Sequence, residues 1–418
     1  MTAPTTVDAL DALRAACPSA RPAEDADAVA GAPARYVVRP GSTEELSAAL
    51  RVATEHDLAV TARGAGTKQA WYAPPRRLDL VVDTTGLTGV VEHVAGDLIV
   101  VARAGTPLAE LQEALAPHGQ QLALDEPLPG STVGGTIAAS TSGPRRMLYG
   151  TVRDLLIGVT IVLPDGTVAK AGGKVVKNVA GYDLGKLVAG SFGTLGIVTQ
   201  AAFRLHPLPG ATAVVRRRVD SVEEAGRIAA AAIGAQVVPS GVDVDAPADG
   251  ALEVAVMLEG VPDGVAGRVA TTLGLLGEGA TSDDEPPGWW TALPFGPGDT
   301  GVKLTCAISQ VPAVLAAVRT ARERHGTPVA ARGSAGTGVL HAVVPQGTAA
   351  GTVAAVVRDL RSTAEAGGGH AVVVQAPDEV RGDLDAWGTV PGLHLMHRIK
   401  DQFDPGARLA PGRFVGGI

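Results

Sequence analysis

The sequence predicts an α+β protein built in two parts, and three observations carry that expectation. Its 418 residues exceed the usual span of a single domain. Near the middle, His206-Pro207-Leu208-Pro209-Gly210 sets paired prolines and a glycine where they resist both helix and ladder. The order of elements also differs across that break. Before it, strands run into glycine-rich loops; after it, a β-α-β-β-α-β run reads as a ferredoxin-like layer. The expected divisions are an N-terminal extension over 1–34, a first domain over 35–209 and a C-terminal α+β domain over 210–418.

Each element has a local reason. Residues 1–30 are rich in Ala, Pro and Asp and allow at most a short helix around Val7–Ala16. Tyr36–Arg39 reads as a strand. Ser42 and Glu45 form a capping box that opens a helix with Leu46, Ala49, Leu50 and Ala53 on one face. Leu58–Arg63, Leu78–Asp83 and Leu98–Ala104 read as strands. Thr106 as N-cap and Pro107 as first helical residue begin a helix that stops at Gly119. Leu156–Leu163 and Val168–Ala171 flank the turn Pro164-Asp165-Gly166. Beyond the break come strand Leu252–Leu258, helix Val265–Leu276 and a polar insertion over Thr281–Thr300. Strand Val302–Ile308 and helix Val311–His325 follow. Strands near Pro328–Arg332 and Val339–Val344, helix Thr352–Glu365 and strand His370–Gln375 complete the pattern.

Composition narrows the function classes. Hydrophobic residues reach 46% but aromatics only 3%, so the core is built from Ala, Val and Leu. Scarce aromatics and a net charge of -8 exclude a nucleic-acid partner, which needs stacking platforms and a basic face. No apolar run is long enough for membrane insertion. The N-terminus lacks the basic and apolar segments of a signal peptide, so a cytoplasmic location is expected, with any membrane contact made through partners. Cys17 and Cys306 stand far apart and read as reduced, buried thiols; two cysteines cannot hold a four-cysteine iron–sulfur cluster.

Three loops carry the chemistry. Arg63-Gly64-Ala65-Gly66-Thr67-Lys68 leaves a strand, and its glycines let backbone N–H groups converge into a concavity suited to phosphate oxygens. An ordinary glycine turn is the alternative. Gln69 stands where a Rossmann fingerprint needs its third glycine. The second loop, Pro129-Gly130-Ser131-Thr132-Val133-Gly134-Gly135-Thr136, continues through small residues to Gly143 and on to Arg145, Tyr149, Gly150 and Thr151. The third is Gly190-Ser191-Phe192-Gly193-Thr194-Leu195-Gly196-Ile197-Val198.

With Tyr149–Asp154, these segments resemble the FAD domain of the vanillyl-alcohol oxidase (PCMH) type over about Tyr36–Pro209. The resemblance implies FAD as cofactor. It places the diphosphate against Arg63, Gly64, Ala65, Gly66, Thr67 and Lys68 and against Pro129, Gly130, Ser131, Thr132, Gly134 and Gly135. Ala139, Ser140, Ser142 and Gly143 are expected near the flavin, with Tyr149 and Gly150 in the same set. Gly196, Ile197 and Val198 are expected on the adenine side. Members with covalently attached flavin often carry histidine just after the first loop; Thr67 stands there, which implies non-covalent FAD.

Lys174–Leu187 and Asp404–Phe414 are similar to the flavoprotein subunits of bacterial glycolate oxidase, which oxidises 2-hydroxy acids. That similarity implies an assembly of a larger catalytic-type flavoprotein, a smaller FAD-binding subunit and an iron–sulfur subunit. Lys68 and the modest length favour the smaller subunit. Catalytic-type relatives carry H-x-G-D-G-N-x-H, whereas Ser334–His341 keeps only the glycines and the final histidine. No metal site is expected, His341 reads as a lone strand-end histidine, and no catalytic residue is assigned.

Other residues admit two readings each. Lys177, Tyr182 and Asp183 suit either a substrate carboxylate or a helix start capped by Asp183. Arg145 and Arg146 suit either the reduced flavin or, more ordinarily, a solvated surface pair. Trp289 and Trp290 suit a partner interface or a buried core, while His394 and His397 read as surface residues. A free-standing alcohol oxidase and a mainly structural FAD-containing scaffold are the rival functions.

Overall fold

Strands Tyr36–Val38 and Val60–Arg63 both pair in parallel with Leu80–Asp83, the helix Thr43–Glu55 crossing over between the first two. The computed structural model describes residues 8–173, 183–382 and 384–418. The crossover helix starts where Ser42 Oγ accepts the Glu45 N–H at 3.1 Å. The Glu45 carboxylate reaches one residue further back than a reciprocal box requires, accepting from Gly41 N–H at 2.8 Å. Leu46, Ala49, Leu50 and Ala53 form its buried stripe against Val38, Val60, Leu80 and Val82. Arg21–Pro22 completes this four-stranded sheet beside Tyr36–Val38.

A second sheet is antiparallel, in the order Val90–Val94, Ile99–Arg103, Ile197–Arg204, Leu156–Val162, Val168–Gly172. Its hairpin turn passes under the crossover helix. Gly166 has φ +83°, and an added Cβ would meet the Ser47 carbonyl oxygen at 2.5 Å, so glycine is required for the approach. The helix Leu108–Leu115 begins later than the Thr106–Pro107 signal suggests. Pro107 is the N-cap, while Thr106 Oγ1 accepts the Gly89 N–H at 3.0 Å. The Pro-rich break does carry a short ladder, His206–Pro207 against Gln120–Gln121, since proline loses only its donor.

The C-terminal part is one antiparallel eight-stranded sheet. Its order is Thr281–Asp283, Ala211–Val219, Leu252–Gly260, Gly241–Ala246, Ala330–Ser334, Val339–Val344, Thr300–Thr305, His370–Gln375. The β-α-β-β-α-β unit therefore occurs twice. The first copy includes helices Val222–Gly234 and Pro262–Leu276, the second Val311–His325 and Ala350–Ala366, and the copies join through Gly241–Ala246 and Ala330–Ser334. Val242, Val244, Val254, Val256, Leu304, Leu340 and Ala342 face the four helices and form the largest core. Strand alternation puts Asp243, Asp245, Arg332, Ser334, His341 and Lys303 on the opposite face.

After this sheet the chain returns to the first part. Helix Leu393–Phe403 leads to Leu409, which bridges Val60 in parallel, with Val60 N–H donating to Arg408 O and Ala410 N–H donating to Val60 O. Among the described residues no helix is long and apolar enough to cross a membrane. Cys17 is buried and Cys306 half-buried, both as free thiols.

Candidate cofactor cleft and interdomain cavity

Between the two N-terminal sheets lies a cleft walled by all three glycine loops. The first loop leaves the strand Val60–Arg63 and presents Gly64, Ala65, Gly66, Thr67 and Lys68. Gly66 has φ +78°, which the turn of the first loop requires, and a Cβ on Gly64 would come within 2.3 Å of Thr132 Oγ1, so Gly64 sets the spacing between the first and second loops. The second wall is the helix Val133–Ala139, capped by Thr132, whose hydroxyl accepts the Gly135 N–H. Thr132, Gly134, Gly135 and Ala139 line the cleft. The third wall holds Gly196, Ile197 and Val198 and a turn pinned to that helix by Gly190 N–H to Ile137 O and Phe192 N–H to Ala138 O.

Other sequence-predicted residues stand outside this lining. Arg63 turns away to Asp27 at 3.0 Å and Asp83 at 3.9 Å. Ser131 lies behind the wall, where its Oγ accepts from Lys68 Nζ at 2.7 Å and its N–H donates to Glu126 at 2.7 Å. Pro129 and Gly130 form the turn before it, Gly130 with φ +82°. Ser140 ends the helix in the left-handed region, at φ 49°. Tyr149 packs edge-on against His206, and Gly150 makes a turn tight against Asp154. Ser142 and Gly143 line a different cavity.

The electrostatics of the cleft are one-sided. Lys68 and Arg413 line it, and among the described residues no carboxylate does. Burial pushes the Lys68 ammonium down to about 8, opposed by the nearby Glu126 charge. Thr61 Oγ1, Ser191 Oγ and Arg413 Nε are buried there without a hydrogen-bond partner. Narrow glycine walls, unspent donors and two cations fit an anionic dinucleotide. Thr61, Ser191, Phe192 and Arg413 were not among the residues anticipated. Ser191 and Phe192 belonged to the quoted third loop, and Arg413 to the quoted C-terminal segment, so a signal existed for three of them.

A second, smaller cavity sits between the first part and the polar face of the eight-stranded sheet. Ser142, Gly143, Pro144 and Arg146 contribute from one side. Asp243, Arg332, Ser334, His341 and Trp290 contribute from the other. His341 is directly opposite Lys303 on the neighbouring strand. Burial, then the Lys303 and Arg146 charges, drives the His341 imidazole down to about 3. Burial likewise raises the Asp243 carboxyl to about 8, and its Oδ1 has no partner. Among the described residues, neither the Arg146 nor the Lys303 side chain makes a hydrogen bond or ion pair, and burial lowers the pKa of both.

Several single-residue expectations change here. The Arg145–Arg146 pair is not a solvated surface pair. Arg145 bonds Asp125 at 2.8 Å, Gln121 at 2.8 Å and Glu259 at 3.4 Å, and Arg146 lines the cavity. His341 is not a solitary strand-end residue but the third residue of its strand, between Lys303 and Arg332. Trp290 is buried, His394 and His397 are exposed, and Asp183 caps helix Leu184–Val188. Lys177 and Tyr182 lie outside the described residues. Among the described residues no cluster of three or more His, Cys, Asp or Glu is placed to hold a metal ion.

Comparison with known proteins gives the cleft its cofactor. Residues 34–172, about a third of the chain, match the family described as FAD binding domain. The chain is 40% identical to glycolate oxidase subunit GlcE of Escherichia coli over 143 residues, 34% of this chain and 41% of that protein. It is 35% identical to the mitochondrial D-lactate dehydrogenase (cytochrome) 1 of Saccharomyces cerevisiae over 215 residues, 51% of this chain and 36% of that one. Glycolate oxidase subunit GlcD of Bacillus subtilis is 32% identical over 205 residues, 49% and 44% of the two chains. The matches thus span less than half the length of each of these relatives. A solved structure of alkyldihydroxyacetonephosphate synthase shares the fold, with a TM-score of 0.69 at 17% identity over 91% of this chain and 77% of that one. The cofactor of this domain is FAD.

Proposed function

We propose that this chain is an FAD-dependent oxidoreductase subunit acting on 2-hydroxy acids, the smaller FAD-binding member of a glycolate oxidase-type assembly. The observation that carries the reading is the cofactor cleft, with glycine walls, two cations and no lining carboxylate. Similarity to proteins named as glycolate oxidase subunits and D-lactate dehydrogenases supports the substrate class. FAD supplies the acceptor for the hydride removed from the carbinol carbon.

The chain's own residues hold and orient. Lys68, the Gly64–Gly66 loop and the Thr132–Gly135 helix start hold the diphosphate, and Gly196–Val198 bound the adenine side. In the second reading given below, Arg146 in the interdomain cavity and Lys303 beside His341 bind the substrate carboxylate, a pair of unspent cations suited to one anion. An anion there also cancels the two charges that depress His341 and brings its imidazole nearer the range of a useful proton acceptor. Thr67 offers no ring nitrogen for attachment, so FAD is held non-covalently; acid precipitation releases all flavin into the supernatant, and fluorescence left on the denatured chain refutes this.

Likeness to proteins named as glycolate oxidase subunits supports partner subunits, and in this reading electrons pass to an iron–sulfur partner, beside a larger flavoprotein, in the cytoplasm. Affinity capture of the tagged chain from its native host tests this, with both partners expected in the eluate. A second reading, a free-standing oxidoreductase, draws support from the interdomain cavity. Mixing FAD-loaded chain with glycolate or D-lactate decides between them. Slow or absent bleaching of the flavin is expected of a companion subunit, and rapid bleaching without any other protein overturns it.

A further inference from the structure

We infer that the C-terminal tail is a working part of the FAD site: Arg413 supplies the cofactor's phosphates with a second cation, so that tail docking and FAD binding stabilise each other. The inference rests on the FAD reading of the cleft. Among the described residues Arg413 is the largest fully buried side chain, only 1% exposed, and it lines the cleft although it is distant in sequence from the glycine loops. Its terminal nitrogens are used. Nη1 donates to Gln69 Oε1 at 3.1 Å, and Nη2 donates to the Gln69 and Trp71 carbonyl oxygens at 2.8 and 2.9 Å. Nε has no partner, and the guanidinium sits 4.9 Å over the Phe192 ring.

Carbonyl dipoles and a ring face orient this cation but do not neutralise it. Among the described residues no carboxylate pairs with Arg413, and burial lowers its pKa to about 10. A buried cation without a counter-charge is costly, and an anion bound in the same cleft offsets that cost. Phosphate is the anion the cleft takes.

The tail is also tied to the other walls of the cleft. Lys400 Nζ donates to the Thr194 carbonyl at 2.9 Å, to the Leu409 carbonyl at 2.9 Å and to the Asp404 carboxylate at 2.6 Å. Thr194 belongs to the third glycine loop and Gln69 follows the first, so the tail braces both. Trp387 stacks on Tyr72 with centroids 4.5 Å apart, and Phe414 closes edge-on against both rings. In a chain with 3% aromatic residues, this group marks where the tail seats. A ligand that meets only the docked tail must by linkage favour docking.

Two measurements on the full chain test this. In limited proteolysis of the wild type, FAD should protect the segment after residue 391, with half-protection at the concentration that half-saturates flavin binding. In a fluorescence titration, Arg413→Met should weaken FAD binding about 10- to 100-fold, and Arg413→Lys should recover part of the loss. The Arg413→Met protein should also bind with a shallower dependence on salt, which a purely structural arginine would not produce. Unchanged tail cleavage at saturating FAD overturns the inference, as does wild-type affinity in Arg413→Met. If that variant does not fold, the wild-type proteolysis decides alone. A wild-type chain that binds no FAD overturns the cofactor reading and the inference together. A chain that loses FAD with Gly66→Asp but keeps it with Arg413→Met overturns the inference only.

Discussion

The cofactor cleft and the interdomain cavity are both basic, but they are built differently. The cleft is walled by contiguous loops rich in glycine and other small residues, which expose main chain along its walls. The cavity is walled by side chains from separate elements: Arg146 from a short helix, Asp243, Ser334 and His341 from three strands, with Lys303 beside His341. Recognition by main chain needs a run of small residues and leaves a local signature. Recognition by side chains on a sheet face needs only the right residue on each strand and leaves none.

The strongest way to break this contrast is Gly66→Asp. A Cβ at φ +78° is strained and a carboxylate would enter a cleft that has none, so FAD affinity should fall more than 100-fold. A normal flavin spectrum in the purified variant would show that the loop does not hold the cofactor. Next is the cavity. Arg146→Met or Lys303→Met should raise KM for a 2-hydroxy acid about 10- to 100-fold in the assembled enzyme and leave flavin content unchanged. Equal loss of flavin would mean that the two regions form one site.

The pH dependence sharpens the same comparison. Lys68, down to about 8 by burial, is charged below that pH and neutral above it. FAD affinity should therefore fall by up to about tenfold per pH unit as pH rises past 8, and Lys68→Met should bind weakly with a flat profile. A wild-type profile that stays level from pH 7 to 10 would remove Lys68 from the site. The smallest effect belongs to Asp243, whose carboxyl is raised to about 8 by burial and the nearby Asp125, against the Ser334 hydroxyl and Arg146. A raised carboxyl contributes stability that is fully present below its unfolded value and is lost as pH climbs towards 8. Asp243→Asn should thus match the wild type near pH 4 and exceed it at pH 8–9, by on the order of 1 kcal/mol. Thermal melts at the two pH values check this, and a wild type more stable at pH 9 contradicts it.

Most local structure was legible because it is written over short distances. The Ser42 cap and the Leu46, Ala49, Leu50, Ala53 stripe specify the crossover helix. Pro164-Asp165-Gly166 specifies the hairpin of the second sheet, and Gly64 and Gly66 specify the first glycine loop. The second β-α-β-β-α-β unit could be read from periodicity alone. Its twin was not anticipated, although Val242 and Val244 alternate with Asp243 and Asp245 along the strand Gly241–Ala246. Helix Val222–Gly234 also carried a local signal, the cap at Ser221 accepting from Glu224.

By itself, then, the sequence determined the elements whose causes lie within a few residues: caps, stripes, turns and the glycine loops that wall the cleft. Tertiary structure alone decided which distant groups share a desolvated space. It set Lys303 beside His341 and brought Arg146 into the same cavity as His341, turning a histidine that looked solitary into part of a charged cavity. It also carried Arg413 back across the whole chain to Gln69. Burial and through-space charge depend on what surrounds a group rather than on what precedes it, so these properties exist only once the chain has folded.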